Sequence, residues 1–478
     1  MSNVKKNFAY QSVYQILAIV LPLITAPYIS RVLGSENAGI YSYTNTIAYY
    51  FVVFAMLGLE QYGNRCIAQA RDNKELLDSV FSELIIVHLL SAGLIAAIYF
   101  GYVKLFSGEY RVYALLQGMY VLSALFDINW FFFGIEKFKL TVTRNIVIKI
   151  LTVGFIFFFV HNKTDLWKYC AIMAGSYLIN SIILWRFLPR YVRFKKVSIK
   201  SCLKHLKPLL TLFVAVIASH IYRMIDKTML GWSGKMSDLG CYEYADRIIR
   251  IPLSLITALG TVMLSRMSNL YARKETKQAE KIIDSSAVFV IFMSFALSFG
   301  LAAIAPEFVV IFLGEEYTES IVLVELLAVT IPFVAWNNFI RTQMLIPLGK
   351  DSVYTKAVTA GAIINVILNI GLINIFSARG AAIATIASYV VVMLIQTMSM
   401  IRESKVTSYL RYVPFFTLFG VLMYITVRII GNLIGVTVFS VICEIVIGAT
   451  IYCVLSLVYL HLTKKELIQP LVNRVFKK

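Results

Sequence analysis

The sequence predicts an all-α polytopic membrane protein: fourteen transmembrane helices in two pseudo-symmetric six-helix lobes, followed by a C-terminal helix pair. Three observations carry that expectation. First, 59% of the 478 residues are hydrophobic and only 15% are charged, with a mean hydropathy of +0.76, a balance that water-soluble domains do not reach. Second, apolar runs of about 20 residues, enough to cross a hydrocarbon layer ~30 Å thick, recur along the whole chain between short charged or turn-rich segments. Third, the chain repeats itself. Leu33 and Gly34, then Gly39-x-Tyr41-x-Tyr43, return as Leu230 and Gly231, then Gly240-x-Tyr242-x-Tyr244, and Arg65 with Ala70 and Arg71 is answered by Arg266 with Ala272 and Arg273. Both copies start on a span running the same way, so the halves read as parallel repeats.

In chain order, the spans of the first lobe (1–187) are expected at 8–30, 38–62, 82–103, 112–134, 145–161 and 168–187. Those of the second (208–402) fall at 208–232, 239–263, 285–305, 320–346, 354–376 and 380–400, and the final pair at 409–430 and 436–461 lies in a terminal segment (403–478) ending in a basic tail. Lys5 and Lys6 precede an apolar run too long for a signal-peptide core, which reads as an uncleaved first span. A strongly basic segment, 188–207, links the lobes. Segments 64–80 and 265–284 read as short interfacial helices, and Pro22, Pro27, Pro252 and Pro332 predict bends inside spans.

Charge sets the orientation. With the N-terminus inside, 30 of the 45 Lys and Arg residues fall on the cytoplasmic side, 8 outside and seven within spans. That asymmetry places both termini in the cytoplasm, and it reads the net charge of +19 as a topology signal facing anionic lipid rather than a nucleic-acid surface. The six cysteines and five histidines show no ligand or disulfide spacing, so neither a metal site nor a disulfide framework is expected. No Walker A motif, HExxH or nucleophile elbow is present. No catalytic residue and no cofactor are expected, and an ATP-driven pump or metalloprotease is unsupported.

What remains is charge inside the spans. On the seventh, His220, Arg223 and Lys227 share one helical face, with Asp226 one step round. Each such charge at a helix centre costs about 2.5–3.5 kcal/mol on insertion scales, so the face is expected to line a wet cavity. On the eighth, Glu243, Arg247 and Arg250 fall at i, i+4, i+7, making four cations with Arg223 and Lys227, of which Asp226 and Asp246 neutralise two. An anion such as phosphate suits that set; the alternative is paired interfacial charge anchoring helix ends. A second set comprises Arg144 and Lys149 at the start of the fifth span and Arg341 near the inner end of the tenth. Glu60 and Asp127 are the acids expected near them, as candidates for proton coupling or as simple partners for Lys149. Trp130 and Trp336 are candidate sugar-stacking surfaces. Glu444, in the last span, has no evident partner in the sequence.

Four segments, DINWFFFGIEKFKLTVTRN from Asp127, IDKTMLG from Ile225, YEYADRIIRIPLSLITALGTVMLSRM from Tyr242 and IPLGKDSVYT from Ile346, in that order resemble the multidrug/oligosaccharidyl-lipid/polysaccharide exporter superfamily, and within it the Wzx-type polysaccharide flippases. The resemblance covers nearly the whole chain. It implies a MATE-like pair of lobes working by alternating access, and as substrate an undecaprenyl-diphosphate-linked oligosaccharide. The substrate would move from the cytoplasmic to the outer leaflet of the bacterial inner membrane for O-antigen or capsule synthesis, with its lipid tail near the last two spans. It further implies that Arg223, Asp226, Lys227, Arg247, Arg250, Lys149 and Asp127 line or face the cavity. Proton or sodium coupling, and a polysaccharide polymerase and chain-length regulator as partners, belong to the same expectation. A flippase for the lipid-linked peptidoglycan precursor is the main alternative; an organic-cation antiporter would want an acidic cavity instead.

Overall fold

In lipid a backbone must satisfy its own hydrogen bonds, and every regular element among the described residues is helical. The computed structural model describes residues 2–463, with side chains from residue 21 onward except 215, 218, 219, 221 and 222. The basic tail at 464–478 and the side chains of Lys5 and Lys6 therefore lie outside the described residues. Eleven helical segments there are long and apolar enough to cross a membrane.

The chain forms two compact units, Met1–Gly240 and Cys241–Lys478. The division falls later than the 188–207 segment because α9 (Leu206–Trp232) packs on α1 (Ser2–Met56) in the first unit. Two long helices are broken at a single residue. In α1, Gly34 leaves the helix at φ 78°, ψ 173°, a conformation that a Cβ disfavours. In α14 (Asp351–Met400), Ser377 does so at φ 50°, ψ −127°.

The first turn of α10 (Met236–Ala272) crosses α1 without side chains between them. A Cβ at Gly39 would collide with the Met236 carbonyl, and one at Gly240 with the Ser35 carbonyl. Ser35 and Ser237 close the crossing with a 2.7 Å hydroxyl contact. Gly39 and Gly240 occupy matching places in the two repeats, and so do the partners they meet, four residues before each glycine. The contact is thus reciprocal, as between two copies of one surface.

Elsewhere in the first unit, α2 (Leu59–Ala70) packs on α5 (Asn129–Gly134) and on α3 (Lys74–Phe106). The expected span 112–134 is interrupted: α4 (Arg111–Leu125) ends before Asp127, whose carboxylate accepts from the Asn129 backbone N–H at 2.7 Å and so starts α5. Helices α6 (Phe138–Phe159) and α7 (Leu166–Trp185) complete the unit's long elements. The segment at 64–80 contains the end of α2 and the start of α3, whereas 265–284 is no separate interfacial helix. There α10 and α11 (Thr276–Leu313) run on as long helices joined by a tight turn.

The basic 188–207 segment is strapped to α3. Leu188 and Val192 enter the aromatic core, and the backbone N–H groups of Arg193 and Lys195 donate to Asp78 Oδ1 (3.0 Å) and Ser82 Oγ (2.9 Å). After the short α8 (Ile199–Leu203), Glu83 takes Lys204 at 2.8 Å and His205 Nε2 at 2.9 Å, while His205 Nδ1 meets the Tyr62 hydroxyl at 2.8 Å.

In the second unit α11 is central, contacting α12 (Glu319–Ala328), α13 (Thr330–Ile340), α16 (Val413–Ile434) and α17 (Val438–Thr463). Beyond α13 the helix widens into a π turn over Arg341–Leu345. The short α15 (Val406–Tyr409) leads into α16.

Two outcomes are expected. Gly39→Val or Gly240→Val forces α1 and α10 apart, costing about 1–3 kcal/mol or more, read as a lowered unfolding temperature in detergent. Glu83→Ala strands the buried His205, costing on the order of 2 kcal/mol, and trypsin should then cut within 190–196 faster than in wild type.

Candidate functional site

The polar groups that sequence placed inside spans form several local clusters. On α9, His220 Nδ1 accepts from the Arg223 guanidinium at 3.1 Å and lies 2.5 Å from the Tyr49 hydroxyl of α1. One turn further, Thr228 meets Tyr50 at 3.1 Å. Arg223 is exposed, whereas Asp226 and Lys227 are buried. The tyrosines extend the cluster: the rings of Tyr120 and Tyr177 lie 4.4 Å apart, tilted by 35°, and Tyr120 lies within electrostatic reach of Tyr49 and Asp127. These hydroxyls went unnoticed in the sequence. Their signal was position, because Tyr49 and Tyr120 sit mid-span rather than at the ends where interfacial tyrosines gather.

A second cluster gathers where α4 breaks. Asp127 Oδ1 also accepts from the Asn129 amide at 2.9 Å. Arg144, on α6, is buried and donates to Asn129 Oδ1 at 2.9 Å and Asn145 Oδ1 at 2.7 Å. Arg144 is therefore a packed structural group in this conformation, not an open cavity cation. Glu60 is exposed and within electrostatic reach of Asp127, so the two acids expected to act together are neighbours. Lys149, further along α6, is half-buried.

The tryptophans are not sugar platforms. Trp130 is fully buried, its ring stacked on Phe81 and its Nε1–H donated to the Asp127 carbonyl at 3.1 Å. Trp336 is buried in the core of the second unit, with Nε1–H on Thr397 at 3.0 Å. Neither ring leaves a face open, because each indole fills a gap between helices and satisfies its one donor inside the protein.

In the second unit, the cations of α10 are matched within a helical turn. Arg247 binds Glu243 at 2.7 Å and lies over the Tyr244 ring; Arg250 binds Asp246 at 3.0 Å. Of the two readings open for this helix, cavity cations or paired charges, the pairs are formed here, since i, i+4 spacing brings each acid onto its arginine. Arg341, at the π turn, donates to Asn338 Oδ1 at 3.0 Å and lies over Tyr354.

A bundle of membrane-spanning helices that holds hydrogen-bonded charge and tyrosine hydroxyls within the spans defines a multi-pass membrane protein built around polar intramembrane clusters. The chain belongs to the polysaccharide biosynthesis protein family, whose model matches residues 4–271; the model of the lipid II flippase MurJ matches 234–459. Among curated relatives, the protein named "Putative O-antigen transporter" in Escherichia coli (strain K12) is 23% identical over 84% of this chain and 98% of its own length. The "Probable low-salt glycan biosynthesis flippase Agl15" of Haloferax volcanii is 23% identical over 78% of each. Among solved structures, lipid II flippase MurJ in an inward closed conformation superposes with a TM-score of 0.74 at 16% identity, over 94% of this chain and 98% of that one. An inward-facing multidrug resistance MATE family transporter gives 0.57 at 13% identity, over 82% and 99%. The fold is shared with both.

The clusters predict a split between folding and function. Arg144→Ala should cost about 1.5–3 kcal/mol through lost charged hydrogen bonds and lower the unfolding temperature in detergent. Arg223→Ala, at an exposed side chain, should leave that temperature near wild type.

Proposed function

We propose that the protein is a flippase that moves an undecaprenyl-diphosphate-linked oligosaccharide repeat unit from the cytoplasmic to the outer leaflet of the bacterial inner membrane by alternating access, for O-antigen or capsule synthesis. The observation that carries this reading is the α9 cluster: an exposed Arg223, with His220 and a set of tyrosine hydroxyls, on a helix of a membrane protein of the polysaccharide biosynthesis family. Guanidinium and hydroxyl groups suit a diphosphate and a sugar respectively. A headgroup with about two charges cannot cross hydrocarbon unaided, because an unpaired charge costs many kcal/mol there. Lowering that barrier needs no covalent chemistry, so the protein acts as a transporter and not as an enzyme.

The full set of spans in this reading is fourteen. The breaks at Gly34 and Ser377 each divide one of the eleven apolar segments in two, and α9, a further helix of 27 residues, adds one more. The halves 1–187 and 208–402 form repeated lobes, with 403–478 as a terminal pair, a reading the reciprocal Gly39 and Gly240 contact supports. Cation asymmetry favours cytoplasmic termini. Lys227, Lys149, Arg247, Arg250 and Arg341 assist Arg223 when the charge pairs of α10 reopen on the headgroup, and Asp226 and Asp246 balance them. In this reading Asp127 and Glu60 are candidates for sensing coupling protons or sodium ions. A polysaccharide polymerase and a chain-length regulator are the partners that would take up the product.

The match to the MurJ family model favours one second reading, a flippase for the lipid-linked peptidoglycan precursor. Deleting the gene and identifying by mass spectrometry the lipid-linked glycan retained on the cytoplasmic side separates the two. An oligosaccharide repeat unit is expected; accumulated peptidoglycan precursor would replace the first reading with the second. In the complemented strain, Arg223→Ala should abolish surface polysaccharide with protein level unchanged, and undiminished export would refute a headgroup role for α9.

A further inference from the structure

A second buried charge cluster lies in the other unit, away from every residue assigned above. Glu444 on α17 is completely buried; its Oε1 accepts from Ser440 at 2.7 Å, and its Oε2 is buried with no hydrogen-bond partner. Glu307 on α11 is also buried and binds Arg428 of α16 at 2.6 Å. The two carboxylates converge on one spot. A Cβ placed on Gly431 would lie 2.6 Å from Glu307 Oε1 and 2.9 Å from Glu444 Oε1, so only the missing side chain of that glycine gives both acids room against α16. Ser440, Glu307 and Arg428 are the groups within reach of Glu444; Glu325 of α12 lies further out, within reach of Arg428.

One guanidinium and two buried carboxyl groups leave an excess of negative charge if both acids are ionised. Arg428 is bonded to Glu307, whereas the Glu444 carboxyl is held by the Ser440 hydroxyl alone, so a second charge there has no cation of its own at bonding distance and a proton is its natural counterpart. The orphan oxygen is where that proton sits or where it departs.

We propose that Glu444, with Glu307 and Arg428, is a proton-binding site through which the transport cycle uses the proton gradient. The step is a simple equilibrium: the Glu444 carboxylate takes one proton to become a neutral acid and returns it, and on release Arg428 is shared by both carboxylates. Arg428 is partly exposed and hydrogen-bonds the exposed Asn432 at 3.3 Å, which gives the proton an exit at the end of α16 next to the turn at 435–437. In the proposed orientation that turn is on the outer side. Because α16 and α17 both pack on α11, changing who holds Arg428 changes the fit of the terminal helix pair on α11.

The coupling part rests on the flippase reading; the proton site does not. Infrared spectra of the purified full-length protein in detergent should show the carbonyl band of a protonated carboxylic acid at neutral pH, absent in Glu444→Gln, which keeps the side chain's shape. The band should fade as pH rises. In Glu307→Gln it should fade at a pH lower by about one unit or more, because Arg428 then serves Glu444 alone. A wild-type spectrum identical to that of Glu444→Gln overturns the site, and so does loss of the band on adding sodium chloride at fixed pH, which would assign it to a metal cation. With the band present, wild-type surface polysaccharide output from Glu444→Gln overturns the coupling. The deletion strain tests the flippase reading separately, and its failure leaves the infrared result standing.

Discussion

Charge inside hydrocarbon has to be answered locally, and the rest of this structure follows from how each ionised side chain is answered. Arg247 and Arg250 find acids one turn back on their own helix. Arg144 finds asparagine carbonyls, and Arg428 reaches across to a neighbouring helix for Glu307. Each solution leaves a different amount of freedom. A pair within one helix can open without disturbing the packing, whereas a guanidinium threaded between asparagines cannot leave without loosening the helices that present them. That difference separates the charges suited to meet a passing substrate from those that hold the scaffold.

Close backbone approach is the second organising element. In lipid the attraction between helices comes from packing and not from exclusion of water, so small residues at crossings matter more than in soluble proteins. The crossing of α1 by the first turn of α10 sets Gly39 against the Met236 carbonyl and Gly240 against the Ser35 carbonyl. The same economy appears at Gly431, where the space gained accommodates carboxylates instead of a helix.

Much of the fold was legible from residues 1 to 478 because apolar length and charge bias are direct consequences of the bilayer. Gly39 and Gly240 were legible as matched motif positions, though not the close contact they make. The pairing of Arg247 and Arg250 was half visible: i, i+4 spacing from Glu243 and Asp246 was on the page, but composition favoured counting the cations over matching them. The fate of Trp130 and Trp336 was not visible, since an indole in a span looks the same whether it borders a cavity or fills a core. Glu444 needed three helices brought together before Glu307 and Arg428 became its neighbours, more than a hundred positions away in the case of Glu307.

The strap over α3 has a consequence of its own. Its course is fixed by amide hydrogens of Arg193 and Lys195 and by two buried apolar anchors, while the side chains of Arg193, Lys195 and Lys196 are exposed, that of Lys195 adding one bond to the Glu75 carbonyl at 3.3 Å. Main-chain atoms fasten the segment whatever residue supplies them. The identity of each cation can therefore drift, arginine for lysine or one position for the next, without altering the path of the chain, provided that enough positive charge remains at the membrane surface.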